Sequence, residues 1–122
     1  MGWDIKEDGF GVVLSPELPG LIRGHLLSAL TGFLEASAMS LGDFTGFLLH
    51  PGGAKILKTG RTFLGSRTTN LPKSEVLRDF ANMSSPTALF ALDRAVKAGA
   101  RGPHLLMAFG PGFSAYFLAV DL

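Results

Sequence analysis

Two neutral side chains that can donate hydrogen bonds stand where predicted secondary-structure elements end or begin. His50 closes the apolar segment 44–49 and is followed by a Pro-Gly-Gly turn, which lets a ligand approach the backbone closely. Asn82 lies just before a predicted helix. Neutral donors on rigid elements suit a reaction that places negative charge on a thioester oxygen, as an enolate or a tetrahedral oxyanion. The pair therefore indicates thioester chemistry.

Each segment of interest also has a purely structural interpretation. A single histidine such as His50 is more often structural or simply exposed than functional. Asn82, with the serines that follow it, is suited to helix capping. The segment 109–112, Phe-Gly-Pro-Gly, is typical of a hairpin turn. These alternatives stay open for each segment alone, whereas the combination of the three favours a functional site.

Several chemical classes are excluded by residue types that are missing or badly spaced. The chain has no cysteine, which excludes disulfides, cysteine-ligated zinc and a thiolate nucleophile within it. It has neither a Gly-x-Ser-x-Gly elbow nor a phosphate-binding loop with a following Lys-Ser/Thr. His25 and His104 have no carboxylate at metal-ligand spacing, so no metal site is expected.

Charge and hydropathy bear on partners and location. Eleven basic against ten acidic residues produce no overall field that would attract nucleic acid. Residues 102–120 lack charged side chains over nearly the length of a membrane helix, but a central Gly-Pro-Gly favours two buried strands instead. The amino terminus has no signal-peptide pattern. We therefore expect a cytoplasmic protein with no membrane span.

The pattern along the chain predicts one α/β unit over residues 1–122. Apolar residues recur at helical spacing after Ser15-Pro16-Glu17, which has the composition of a helix start. Strands are predicted at 3–5 and 10–14 around an Asp8-Gly9 turn, and at 44–49, 105–109 and 114–120. Further helices are predicted at 54–64, 74–80 and 86–98.

Four segments in register resemble the chalcone-synthase-like type III polyketide synthases, of the bacterial type. They are the His50 segment Gly46–Leu57, Asn82-Met83-Ser84-Ser85, Phe109-Gly110-Pro111-Gly112 and Leu18-Pro19-Gly20-Leu21-Ile22. Ketoacyl synthases of the acyl-carrier-protein III type are the alternative condensing enzymes, but they typically carry His-Gln-Ala-Asn and a late Gly-Gly-Gly. Ala108 and Val12 depart from the plant pattern. Because Val12 stands where plant members carry a gatekeeper Phe, an aliphatic starter is favoured over an aromatic one.

The resemblance implies a thiolase-like α/β fold, of which this chain is the carboxy-terminal half, a mixed sheet packed by helices. It also implies decarboxylative condensation of malonyl-CoA onto an acyl-CoA starter, with no cofactor, in a homodimer. His50 and Asn82 would then be catalytic and donate hydrogen bonds to the malonyl thioester oxygen, and His50 would also help to hold the catalytic Cys as a thiolate. The other implied residues line the pantetheine arm or the cavity wall: Val12, Gly52, Gly53, Ala54, Ser84, Phe109, Gly110, Pro111 and Gly112.

The nucleophile of that reaction is missing, because the family's Cys belongs to an amino-terminal domain that this chain lacks. We therefore expect the chain alone to be inactive. Helix 86–96 is apolar on nearly every face, which suits burial on both sides and predicts self-association when one side is uncovered. Two alternatives remain open: a non-catalytic module that binds a CoA ester or a partner enzyme, and a structural remnant without a ligand.

Overall fold

A hairpin of two short strands opens the chain. The structure, a computed structural model, describes residues 2–13, 18–52, 57–58, 60, 62, 64, 73–110 and 114–122. Strands β1 (Gly2–Lys6) and β2 (Gly9–Val13) pair antiparallel, with Lys6 opposite Gly9. The turn therefore consists of Glu7 and Asp8, one residue earlier than predicted, and Gly9 begins β2 with a φ of +145° that favours glycine.

The main sheet has three strands in the order β3-β4-β5. Strand β3 (Gly46–Leu49) runs parallel to β4 (Pro103–Gly110), which pairs antiparallel with β5 (Ser114–Asp121). The pairing of Gly110 with Ser114 confirms the predicted terminal hairpin. The sheet is thus mixed, as predicted.

Helices cover the sheet on both sides because its buried residues alternate between faces. Phe47, Leu49, Leu105 and Met107 join one apolar cluster with helix α1 (Leu18–Ala36), whose apolar stripe contributes Leu26 and Leu30. Leu48 and Leu106 join a second cluster with a later helix, α3 (Pro86–Lys97). Residues 57 and 64 are helical and buried in the first cluster, in agreement with the predicted helix 54–64.

A charged contact joins α3 to the preceding helix α2 (Lys73–Phe80). Nη2 of Arg94 lies 3.0 Å from Oδ2 of Asp79, and its Nη1 lies 3.8 Å from Oε2 of Glu75. The same guanidinium sits 5.7 Å from the ring centroid of Phe80, and the Phe80 and Phe90 rings are 4.8 Å apart. These contacts hold the two helices together around the segment 81–85 that connects them.

Helix α3 is buried on one face only. Thr87, Ala88, Ala91 and Ala95 are buried, whereas Leu89 is 63% and Val96 48% exposed. The self-association predicted from this helix stays a prediction. Among the described residues, no helix combines the length and the apolarity that a membrane crossing requires.

Candidate active site

His50 is held at the carboxyl end of β3 by the sheet itself. Its backbone N–H donates to the carbonyl of Met107 at 2.8 Å, which extends the parallel pairing one residue beyond the strand. Its own carbonyl accepts the N–H of Gly52 at 2.9 Å and so closes the turn. The side chain is only 6% exposed, and Nδ1 is a buried atom without a hydrogen-bond partner among the described residues.

Burial determines the charge state of His50. Loss of solvent disfavours the imidazolium and lowers the pKa of His50 below the usual value of about 6.5. The side chain is therefore neutral at pH 7. A neutral imidazole still carries one N–H, which can donate a hydrogen bond to an oxyanion.

This shift predicts how stability changes with pH. Since the pKa of His50 is lower in the folded chain, the unfolded chain binds the proton first as the pH falls below about 6.5. The free energy of unfolding should fall over that range until the pH passes the folded pKa. Urea unfolding between pH 5 and 8 measures this, and a His50→Phe variant should lose that part of the slope. An imidazole titration of His50 at or above pH 6.5, followed by NMR, would contradict it.

Asn82 lies in the short connection between α2 and α3, and hydrogen bonds determine the orientation of its amide. Oδ1 accepts the backbone N–H of Ser84 at 2.9 Å, and Nδ2 donates to the carbonyl of Gly52 at 3.1 Å. Because an N–H can only donate and a carbonyl can only accept, a flipped amide would break both bonds. The donor end of Asn82 therefore faces the turn that follows His50.

The bond from Asn82 to Gly52 connects two of the predicted segments directly, across thirty residues of sequence. The structure thus brings His50, Gly52, Asn82 and the Ser84 backbone into one region. Phe109, at the same carboxyl edge of the sheet, lies two residues beyond Met107 on β4, packed partly against the α1 cluster.

The remaining predicted site residues are distributed as follows. Ser84 is exposed and has a φ of +64°. Gly110 ends β4, where an added Cβ would lie 3.6 Å from Cε2 of Tyr116. The backbone of Val12 is in β2 opposite Trp3, and its side chain is outside the description. The other four positions lie outside the described residues: Gly53, Ala54, Pro111 and Gly112.

Thr87 is a buried polar residue of this region that the sequence analysis did not select. It is fully buried, and its Oγ1 accepts the N–H of Met83 at 2.8 Å and lies 3.5 Å from Oδ1 of Asn82. The signal available in the sequence was a single hydroxyl in the otherwise apolar first half of the helix. Such a group requires a local partner when it is buried.

His104 is buried for structural reasons. Its Nδ1 lies 2.8 Å from the carbonyl of Gly102, to which it can only donate, at the start of β4. Oγ1 of Thr45 lies 3.4 Å from the same nitrogen. In the part of the chain that the structure describes, no three His, Cys, Asp or Glu side chains are grouped as metal ligands.

The backbone before Asn82 is strained. Ala81 directly follows α2. Its N–H donates to the carbonyl of Leu77, and its φ of +57° is a left-handed conformation that is costly for any residue with a Cβ. We expect Ala81→Gly to stabilise the chain by about 1 kcal/mol in thermal or urea unfolding. Ala98→Gly is the matched control, because Ala98 follows α3 with a φ of −77° and should lose stability instead. Equal effects at both positions would contradict the assignment of strain.

The His at the end of β3, the Asn before α3 and the terminal hairpin all lie within a stretch of the chain that matches a known protein family. Residues 1–120 match the family model for the carboxy-terminal domain of chalcone and stilbene synthases. The chain belongs to the chalcone and stilbene synthase family. The resemblance expected from the four segments is thereby confirmed.

Individual members of the chalcone and stilbene synthase family are similar over nearly the whole chain. A chalcone-synthase-type protein of Bacillus subtilis is 35% identical over 97% of this chain, and a 3,5-dihydroxyphenylacetyl-CoA synthase of Amycolatopsis balhimycina is 32% identical over 90%. The type III polyketide synthase domain of Steely1 from Dictyostelium superposes with a TM-score of 0.81 at 27% identity, over 99% of this chain and 35% of its own. This likeness confirms the thiolase-like α/β fold.

The chain spans about a third of the length of these relatives, 33% of the Bacillus protein and 31% of the Amycolatopsis enzyme. What a type III polyketide synthase does as a whole therefore involves residues that this chain does not contain.

Proposed function

We propose that this chain is the part of a type III polyketide synthase that stabilises the oxyanion during decarboxylative condensation of malonyl-CoA with an acyl-CoA starter. His50 and Asn82 are the two proposed donors. The observation that carries the proposal is the 3.1 Å bond from Asn82 to the carbonyl of Gly52, which joins the Asn82 connection to the His50 turn. Similarity to a synthase whose name specifies an acyl-CoA product supports the thioester class.

The proposed chemistry uses the neutral state of both donors. As the carboxylate of malonyl-CoA leaves as carbon dioxide, the bonding electrons form an enolate, and negative charge collects on the thioester oxygen. Hydrogen bonds from His50 and Asn82 stabilise that charge, each by on the order of 3 kcal/mol in the transition state. The enolate carbon then attacks the starter's acyl thioester and displaces the thiolate that carried it. No cofactor takes part in this scheme.

The nucleophile that carries the starter must come from outside this chain, which has no cysteine. Because burial lowers the pKa of His50, an imidazolium is disfavoured here until an anion lies beside it. A cysteine thiol placed next to His50 can transfer its proton to the imidazole, and the resulting ion pair stabilises both charges. We propose that the rest of the synthase, in a homodimer, supplies this cysteine.

Substrate selection is proposed for the residues around the two donors. Gly52 brings backbone without a side chain next to Asn82, which would suit the approach of a pantetheine arm, and Gly53 and Ala54, which follow it in the sequence, would contribute to the same approach. Ser84 and the segment 109–112 would shape the wall around the growing chain. The small Val12 favours an aliphatic starter.

The absence of cysteine favours one alternative, a module that binds a CoA ester or a partner enzyme without turnover. Release of CoA from malonyl-CoA and an acyl-CoA separates the two functions. The experiment compares this chain with the product of the same reading frame extended upstream through a cysteine-containing segment. Turnover by the extended protein and none by the chain alone is expected. CoA binding by the extended protein without turnover would favour the binding module, and turnover by the chain alone would overturn the proposed dependence on the cysteine.

A further inference from the structure

Thr87 bonds the segment that carries Asn82 through its side chain and its backbone. Its side chain is completely buried, in the first turn of α3 and directly after the connection that carries Asn82. Oγ1 accepts the N–H of Met83 at 2.8 Å, and the backbone N–H of Thr87 donates to the carbonyl of Ser84 at 3.1 Å. Thr87 is thus bonded to Met83 and to Ser84, the two residues that follow Asn82 in the sequence.

The remaining proton of this hydroxyl has one acceptor within reach among the described residues. With Oγ1 occupied as an acceptor by Met83, its O–H can still donate to Oδ1 of Asn82, which lies 3.5 Å away, a long contact beside the 2.9 Å bond from Ser84. Both donors meet the oxygen of the amide, so both favour the same orientation. That orientation presents Nδ2 to the turn after His50.

The backbone alone does not hold this connection in place. Ala81 and Ser84 both adopt positive φ angles, +57° and +64°, which residues with a Cβ adopt only when surrounding contacts require them. Asn82 itself is exposed, so packing does little to restrict its side chain. The buried hydroxyl of Thr87 is the fixed point to which Met83 and the Asn82 amide are attached.

We infer that Thr87 is a positioning residue that fixes the Asn82 connection and directs the amide donor of Asn82 toward the His50 turn. Its use in condensation rests on the function proposed above, whereas the positioning itself is a property of this chain and can be measured in it. A buried hydroxyl suits this task because it accepts from the backbone and donates to the amide at the same time.

The composition of the chain makes the measurement unusually direct. Asn70 and Asn82 are its asparagines, and it has no glutamine, so the side-chain amide region of a ¹H–¹⁵N spectrum contains two pairs of signals. An Asn70→Ser variant assigns the pair of Asn82. The shift of that pair from the position of a free asparagine, together with its heteronuclear NOE, reports how firmly the amide is held.

The test compares a substitution that removes the hydroxyl with one that keeps it. Thr87→Val keeps the shape but removes the hydroxyl, and we expect the Asn82 pair to shift toward the free-asparagine position and to lose part of its order, because the bonds to Ser84 and Gly52 remain. Thr87→Ser retains the hydroxyl and should restore the signals of the original chain. Thr45→Val is the control, since the hydroxyl of Thr45 has its acceptors in the carbonyls of Arg101 and Pro103, at 3.0 and 2.9 Å, away from Asn82.

Three results would overturn the inference. They are an Asn82 pair unchanged by Thr87→Val, an equal change caused by Thr45→Val, and no recovery with Thr87→Ser. A measurement on the original chain covers the case in which Thr87→Val does not fold. In the original chain, the hydroxyl proton of Thr87 should exchange slowly with solvent and show an NOE to the amide proton of Met83. The absence of this NOE would equally overturn the inference.

The same variants in the extended synthase separate this inference from the function on which its use rests. Thr87→Val is expected to lower kcat about tenfold to a hundredfold with KM little changed, with recovery in Thr87→Ser. If the amide signals depend on Thr87 while neither Thr87→Val nor Asn82→Ala slows condensation, the proposed function fails and the positioning stands. If Asn82→Ala slows condensation but Thr87→Val leaves both kcat and the signals unchanged, the positioning fails.

Discussion

Replacement of His50 by alanine is expected to slow condensation by the extended synthase about a hundredfold to a thousandfold, the usual cost of removing one oxyanion donor. The physical reason is that a neutral, buried imidazole stabilises the enolate far more than the water that would replace it. Asn82→Ala should have a similar effect through the loss of Nδ2. Initial rates of CoA release give both numbers.

The matched control is the other buried histidine. His104→Asn keeps an N–H at the position of Nδ1 and can still donate to the carbonyl of Gly102, so it should leave the rate nearly unchanged. Because both donors act on one oxygen, the double variant His50→Ala/Asn82→Ala should lose less than the product of the single effects. Equal losses for His50→Ala and His104→Asn would mean that folding rather than chemistry was measured.

Replacement of Phe47 by alanine is expected to destabilise the chain by about 3–5 kcal/mol, the range found for large aromatic side chains in well-packed cores. Phe47 is 1% exposed in β3, and its ring centroid is 6.1 Å from that of Phe44. The cavity would lie beneath the strand that positions His50. Urea unfolding at pH 7 measures the change in the free energy of unfolding.

Tyr116→Ala is the control for this prediction, since Tyr116 is an aromatic residue of the same sheet that is 65% exposed. It should change the free energy of unfolding by about 0.5 kcal/mol or less. A loss below about 1 kcal/mol for Phe47→Ala would contradict the assignment of Phe47 to a packed core.

Local patterns were sufficient for most elements of the fold. The terminal hairpin followed from two apolar runs around Gly-Pro-Gly, and helix α1 from an apolar stripe at helical spacing. Strand β3 was predicted to begin at residue 44 but begins at Gly46. The parallel pairing of β3 with β4 begins with Gly46 opposite His104. Thr45 precedes this pairing, and its hydroxyl and N–H both donate to the carbonyl of Pro103.

The family, the α/β pattern and the candidate donors His50 and Asn82 could be predicted from the sequence, because short motifs and hydrophobic periodicity are local properties of the chain. Three features appear only in the folded chain: the burial that lowers the pKa of His50, the bond from Asn82 to Gly52, and the contacts of Thr87 with Met83 and Asn82. Each depends on burial or on contact between segments, and a hydrogen bond across thirty residues exists only once β3, α2 and α3 have packed. Spacing along the chain carries no such information, since loss of solvent and the direction of a donor are set by what lies nearby in space.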